Sequence, residues 1–298
     1  MSSVSKSPPA QQSKTTGKDG ETKKAGLSSL SKRLIVSAVI LVIGTSLVAA
    51  GGWLFLLLIA FLIGMASWEY WRLFTAGGYR PSATLLVGGN LVLMLARHFF
   101  GFEYAPLILT VCVLFSMGAL VFTYHAAEKT AALDFNVNLG GLLYLGWLGS
   151  YMISLRSLPD GVYWLMLALP ATALCDAGAF FLGSRFGRHK MAPYLSPKKT
   201  WEGYAGGLIF GTLGAWGLAA AWSLAAPSMQ PWHGLAIGAA VSILTPLGDL
   251  GESMLKRGFG VKDTSSILPG HGGVLDRLDS WLWAAPICYY LITLVFLH

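Results

Sequence analysis

Four polar side chains stand near the end of one apolar run: Asp249, Glu252, Ser253 and Lys256. Their spacing of i, i+3, i+4 and i+7 places them on one face of a helix. Acid, acid, hydroxyl and base in a row suit a site for metal and phosphate; a solvated helix end would carry the same face. Pro246 and Gly248 just before them weaken the helix and free backbone carbonyls, which a polar cavity can satisfy. Further on the chain reads Pro269-Gly-His-Gly-Gly273 and then Asp276-Arg-Leu-Asp279. Glycines let backbone approach an anion closely and adopt positive φ, and a helix start adds free N–H groups and a dipole that favours phosphate. Asp276 and Asp279, at i and i+3, project from one face and can hold a divalent cation, because Mg²⁺ is commonly held by one or two carboxylates together with substrate phosphates. A tight turn followed by capping aspartates is the plainer alternative. It leaves the crowding of Lys256, Arg257, Lys262, His271 and Arg277 around the motif unaccounted for.

Two more stretches carry charge. Asp176 lies inside the apolar sequence Leu174-Cys-Asp-Ala-Gly-Ala-Phe-Phe181. A carboxylate within a membrane costs about 3 kcal/mol on insertion scales, so it is expected to face a cavity and a partner; pairing to a nearby Lys is the structural alternative. The polar segment after it contains Arg185, Arg188, His189 and Lys190, most simply a basic cluster that sets topology, and then Ser196-Pro-Lys-Lys-Thr200. Paired lysines with neighbouring hydroxyls can hold a polyphosphate as point charges.

The elements that must position these residues are apolar and long. The 298 residues are 54% hydrophobic and only 12% charged, about half the charge of an ordinary soluble domain. Nine runs approach the length that crosses a bilayer as helix: 34–50, 53–74, 82–97, 105–125, 137–156, 162–184, 204–225, 233–254 and 281–297. The expected fold is therefore an all-α integral membrane protein of about nine transmembrane helices. Small residues such as Gly206-Gly207 and Gly238-Ala-Ala240 suit close helix contacts in lipid. Residues 1–32 are polar and basic, with too little apolar surface to order themselves, and are expected to be a disordered tail. The region 33–160 then holds the first transmembrane helices, and 161–298 the catalytic membrane region with two polar loops. The small residues at 46–50 resemble a signal-peptide cleavage site, but the long polar region before that run argues against one. Cys112, Cys175 and Cys288 sit singly in apolar runs and read as small buried hydrophobes.

Orientation follows from charge. With the amino terminus in the cytosol, 19 of the 21 Lys and Arg fall on the cytosolic side, and only Arg97 and Arg156 fall opposite. One missed helix would exchange every later loop. The carboxyl terminus is accordingly expected outside the cytosol, and the loops 185–203 and 255–280 on the cytosolic face. The net charge of +7 needs no further explanation, since these loops lie against an anionic leaflet. On this layout Asp176 and Asp249 both lie roughly 10 Å below the cytosolic ends of their helices, as one cavity open to the cytosol would require.

The 27 residues Ser253-Met-Leu-Lys-Arg-Gly-Phe-Gly-Val-Lys-Asp-Thr-Ser-Ser-Ile-Leu-Pro-Gly-His-Gly-Gly-Val-Leu-Asp-Arg-Leu-Asp279 resemble the signature of the phosphatidate cytidylyltransferases, the CDP-diacylglycerol synthases. Asp176-Ala-Gly-Ala-Phe-Phe and Ser196-Pro-Lys-Lys-Thr-Trp-Glu-Gly203 resemble that family's two upstream motifs, so the motif-bearing match covers about residues 172–279. The resemblance implies transfer of a cytidylyl group from CTP to phosphatidate, giving CDP-diacylglycerol and pyrophosphate for phospholipid biosynthesis. It also implies a paired-metal centre with Mg²⁺, K⁺ being a candidate second ion, and a homodimer. On that chemistry Asp249, Asp276 and Asp279 are the expected metal ligands. Lys198, Lys199, Lys256, Arg257, Lys262 and Arg277 are candidates for the CTP phosphates or the lipid headgroup, and His271 for orienting phosphate or assisting the leaving group. Asp176, Glu202, Ser253 and Asp263 are further site residues. CTP, phosphatidate and membrane lipids are the expected partners, and nucleic acid is not. The expected location is a bacterial inner membrane, with the site facing the cytoplasm. A transporter would place its carboxylates near the midplane within inverted repeats, and no internal repeat is visible here. A CTP-using lipid or polyprenol kinase shares the metal and phosphate needs, and only the length of the signature argues against it.

Overall fold

Helix formation follows the apolar runs closely. The structure, a computed structural model, describes residues 41–123, 130–265, 267 and 272–297. The polar tail and the first residues of the run at 34–50 lie outside these, as do Lys129, His271 and most of the PGHGG motif. Eight α-helical rods are uninterrupted: α1 (Leu41–Ala50), α2 (Gly52–Ala76), α3 (Ala83–Phe100), α4 (Ala105–Thr123), α7 (Gly161–Phe186), α8 (Trp201–Trp222), α9 (Pro231–Gly258) and α10 (Leu275–Leu291). Between α4 and α7, α5 (Ala131–Gly141) and α6 (Leu148–Arg156) are joined by a π-helical turn, Leu142–Trp147. A second π turn, Ile292–Phe296, continues α10. Each of the nine apolar runs overlaps one of these segments, and seven helices among the described residues are long and apolar enough to cross a membrane. The chain is a multi-pass membrane protein. Helix α4 leaves Leu107, Val111, Leu114, Phe115 and Phe122 exposed, a surface at home in lipid.

Helices α7, α8 and α9 pack in sequence, and α10 runs against α9 while also touching α7, α6 and α2. Helices α10 and α6 thus link the late helices to the earlier pair α2–α3. The contact of α7 with α8 needs small residues. A Cβ on Gly178 would lie 2.7 Å from the Gly206 carbonyl, and one on Gly206 would lie 2.8 Å from the Gly178 carbonyl. Backbones this close gain dispersion and weak polar contacts that a larger side chain would remove.

Pro170, Pro246 and Pro286 sit inside these helices, and at the first two neighbouring side chains meet the carbonyls around them. Pro170 in α7 cannot donate to the Met166 carbonyl; the indole of Trp222 from α8 does so instead, at 3.3 Å. Pro246 in α9 likewise releases the Ser242 carbonyl, toward which the Cys175 thiol points at 3.9 Å. Close by, the Tyr204 hydroxyl donates to Ile243 O at 3.1 Å and Lys199 Nζ to Pro246 O at 3.5 Å. The helix stays continuous because other elements satisfy it.

The two basic residues expected opposite the cytosol are both tied into the fold. Arg97, 1% exposed, donates through Nε to Ser150 Oγ at 3.2 Å. Its guanidinium carbon lies 4.1, 5.0 and 4.8 Å from the rings of Phe102, Trp147 and Tyr151, an aromatic box that receives a cation through ring quadrupoles. Arg156 donates to Val48 O at 2.8 Å and Ala49 O at 3.1 Å, meeting carbonyls at the end of α1.

Among the described residues a short hairpin interrupts the helices. Strands β1 (Lys190–Ala192) and β2 (Ser196–Thr200) pair antiparallel in the segment expected to be a loop. Thr200 then caps α8, its hydroxyl accepting from Gly203 N at 3.1 Å.

Candidate active site

Helices α9 and α10 bring three carboxylates together. Asp249, Glu252 and Asp279 each offer an oxygen, and these atoms lie within 4.8 Å of one another. Asp249 and Glu252 belong to one face of α9, as their spacing requires, and Asp279 enters from the second turn of α10. Gly248 makes the approach of the two helices possible, since a Cβ there would lie 2.5 Å from the Trp283 ring. Glu252 is 1% exposed, and its Oε1 has no hydrogen-bond partner among the described residues. A buried, underused carboxylate beside two others is a set of hard oxygen donors of the kind that Mg²⁺ takes.

Asp276 and Asp279 have separate surroundings. Asp276 Oδ1 accepts from Lys256 Nζ at 2.6 Å. Its Oδ2 accepts from Gly273 N at 2.7 Å, Thr264 Oγ1 at 3.0 Å and Thr264 N at 3.1 Å. Both oxygens of Asp276 are thus engaged by the protein, whereas Asp279 accepts from Ser280 N, at 2.6 Å. Lys256 bridges the two environments, because its ammonium also pairs with Glu252 one helical turn away. Of the three aspartates expected to bind metal, the structure gathers Asp249 and Asp279 with Glu252, and holds Asp276 in the adjoining ion network.

The hairpin explains how the paired lysines divide. Successive residues of a strand point to opposite faces. Lys199 turns inward, with Nζ 2.6 Å from Asp249 Oδ2, while Lys198 is exposed. Arg257 is exposed at the end of α9, donating to Leu195 O at 3.4 Å and Val261 O at 3.1 Å, so it ties the hairpin tip to the helix end. Ser253 Oγ donates to Asp249 Oδ1 at 3.4 Å. Asp176 opens from the middle of α7 with Asp249, Lys199 and Arg277 as charged neighbours. Lys262 and Asp263 are exposed in the segment after α9, and Arg277 is exposed on α10. Glu202 belongs to the hairpin base instead. Its carboxylate accepts from Arg188 N at 3.1 Å and His189 N at 3.2 Å, and lies 2.6 Å from His189 Nδ1. The structure starts α8 at Trp201, three residues before the apolar run does, which puts Glu202 in its first turn.

Helices α7 and α9 also end later than their apolar runs, at Phe186 and Gly258. Asp176 and Asp249 therefore lie about 15 Å and about 13 Å from those ends at 1.5 Å per residue, deeper than hydropathy suggests and still level with each other. Two residues from the earlier helices were not among the expected site residues. Tyr144, in the π turn, has a buried hydroxyl with no hydrogen-bond partner among the described residues, and Asp279, Glu252 and Asp249 are its charged neighbours. π turns of this kind often occur at functional sites. Glu69, fully buried on α2, accepts from Ser265 Oγ at 2.6 Å, Leu275 N at 2.8 Å, Val274 N at 3.0 Å and Thr264 Oγ1 at 3.1 Å. Both are polar atoms in apolar helices, the one sequence signal that could have found them.

Acidic donors flanked by ammonium groups, set below the ends of membrane helices, are suited to joining a polyphosphate to a lipid phosphate. The profile of the cytidylyltransferase family matches residues 31–295. A phosphatidate cytidylyltransferase of Synechocystis sp. is 33% identical over 297 residues, covering 88% of this chain and 96% of that protein. Its Bacillus subtilis counterpart is 40% identical over 154 residues, 51% of this chain and 56% of that protein. The one from Staphylococcus haemolyticus is 35% identical over 190 residues, 60% and 68% of the two chains. The chain belongs to the cytidylyltransferase family, among the phosphatidate cytidylyltransferases.

Proposed function

We propose that the chain transfers the cytidylyl group of CTP to phosphatidate, and that the cluster of Asp249, Glu252 and Asp279 between Lys199 and Lys256 is where this happens. The phosphate oxygen of phosphatidate forms a bond to the α-phosphorus of CTP. The bond from that phosphorus to the oxygen bridging the α- and β-phosphates breaks, and pyrophosphate leaves with the electron pair. A phosphate monoester with a second pKa near ~6 is largely ionised at neutral pH, so the nucleophile needs no general base. The difficulty is repulsion between two anions. Positioning and charge neutralisation govern such phosphoryl chemistry.

Each side chain has a part. Asp249, Glu252 and Asp279 would hold Mg²⁺, which when bound neutralises phosphate charge and aligns the reacting oxygens. Lys199 stands beside Asp249 and can leave it for a substrate phosphate, while Lys256 stands beside Glu252, its charge available to a phosphate held there. Asp276 keeps Lys256 from swinging away. Lys198, Arg257, Lys262 and Arg277 form the exposed basic rim where the triphosphate arrives, and His271 of the PGHGG motif would orient a phosphate. The observation that carries this reading is the triad of carboxylates across α9 and α10 within a chain of this family.

We further infer nine spans, with the site on the cytoplasmic face of a bacterial membrane and the carboxyl terminus opposite. The division of Lys and Arg, 19 against two, supports this. A homodimer is part of the same reading. Purified protein in detergent, given α-labelled CTP, phosphatidate and Mg²⁺, should yield labelled CDP-diacylglycerol and unlabelled pyrophosphate. No labelled liponucleotide would overturn the proposal, and release of labelled CDP with a newly phosphorylated lipid would assign a kinase instead.

A further inference from the structure

The geometry points to Glu69 as a positioning residue for this reaction: from α2, in the other half of the chain, it fixes the segment that carries Asp276 and leads into Asp279. This inference rests on the proposed cytidylyl transfer. Glu69 accepts from Thr264 and Ser265 before the glycine motif and from Val274 and Leu275 after it. One carboxylate therefore pins the residues on both sides of that motif. Val274 N and Leu275 N are among the unpaired donors at the start of α10, so the carboxylate also meets the positive end of that helix.

From Glu69 a continuous path reaches the acidic cluster. Thr264 Oγ1 lies 3.1 Å from Glu69 Oε2 and 3.0 Å from Asp276 Oδ2. Its single proton is shared between the two carboxylates. Asp276 holds Lys256, and Lys256 pairs with Glu252 of the cluster. Gly273 fits this arrangement: a Cβ there would lie 2.1 Å from Thr264 Oγ1 and 2.5 Å from Glu69 Oε2. Any side chain at 273 would force the brace open. Glu69 touches none of the reacting groups; it acts through Thr264 and the start of α10.

The test compares wild type, Glu69→Gln and Gly273→Ala in detergent, with rates expressed per folded molecule. Glutamine keeps the shape of Glu69 but turns an NH₂ toward backbone donors, and alanine at 273 displaces the carboxylate without removing it. Both should lower kcat by about 10- to 100-fold while the KM for CTP stays within about threefold. Hydrogen exchange should quicken at Thr264, Val274 and Leu275 and stay unchanged in α7 and α8. Unchanged kcat in either variant, unchanged protection of those amides, or a uniform loss of protection through the bundle would each overturn the assignment. Should wild type form no liponucleotide, the functional reading fails, and the exchange result alone decides whether Glu69 braces the segment.

Discussion

The two ends of the helix bundle treat charge in opposite ways. At the end bearing the hairpin, Asp249, Glu252, Asp276 and Asp279 face Lys199 and Lys256, and the cluster keeps donor capacity in reserve at Glu252 Oε1. At the other end, Arg97 and Arg156 have no carboxylate partner among the described residues; aromatic rings, a serine hydroxyl and the carbonyls of α1 receive them. The first arrangement can exchange its ion pairs for those of an anionic substrate. The second is held by neutral groups, which offer no ion pair to exchange. Charge in a membrane protein thus marks function where it remains exchangeable, and architecture where neutral groups absorb it.

Substitutions at the two ends should separate these roles. Asp249→Asn or Asp279→Asn should lower kcat/KM by about 10²- to 10³-fold, read from initial rates of liponucleotide formation; a loss below threefold in both would place the reaction elsewhere. Chelating Mg²⁺ should abolish turnover and readdition should restore it. Lys199→Met, removing the cation nearest Asp249, should cost about 10- to 100-fold. Its neighbour Lys198→Met, on the opposite face of the strand, should raise the KM for CTP only about threefold, as exposed charges contribute little. Equal effects of the two lysines would erase the distinction the hairpin makes. Smallest of all, Arg156→Ala should leave kcat unchanged and cost about 1 kcal/mol of stability through its lost hydrogen bonds, measured as a shift in thermal unfolding in detergent.

Much of this was legible in the residues. Helices announced themselves because a bilayer demands continuous apolar runs, and their neighbours only adjusted the ends. The face of Asp249, Glu252, Ser253 and Lys256 follows from helical period alone. What could not be read was pairing between distant segments. Nothing local says that Asp276 turns to Thr264 and Gly273 while Asp279 joins α9, because at three residues apart both outcomes are sterically open. The division between Lys198 and Lys199 depended on a strand whose partner is set by register. Glu69 is the instructive omission. The rule that singled out Asp176, an acid within an apolar run, applies equally to Glu69 in Trp68-Glu-Tyr-Trp71, inside the run 53–74. Burial in the assembled bundle is what gives it meaning.

Glu69 also has a place in time. Its four partners lie 195 to 206 residues later in the chain, which at ~5–20 residues per second takes about 10 to 40 seconds to synthesise. For that interval the nascent helix carries a carboxylate without the groups that will surround it. The brace closes only once α9 and the start of α10 have emerged.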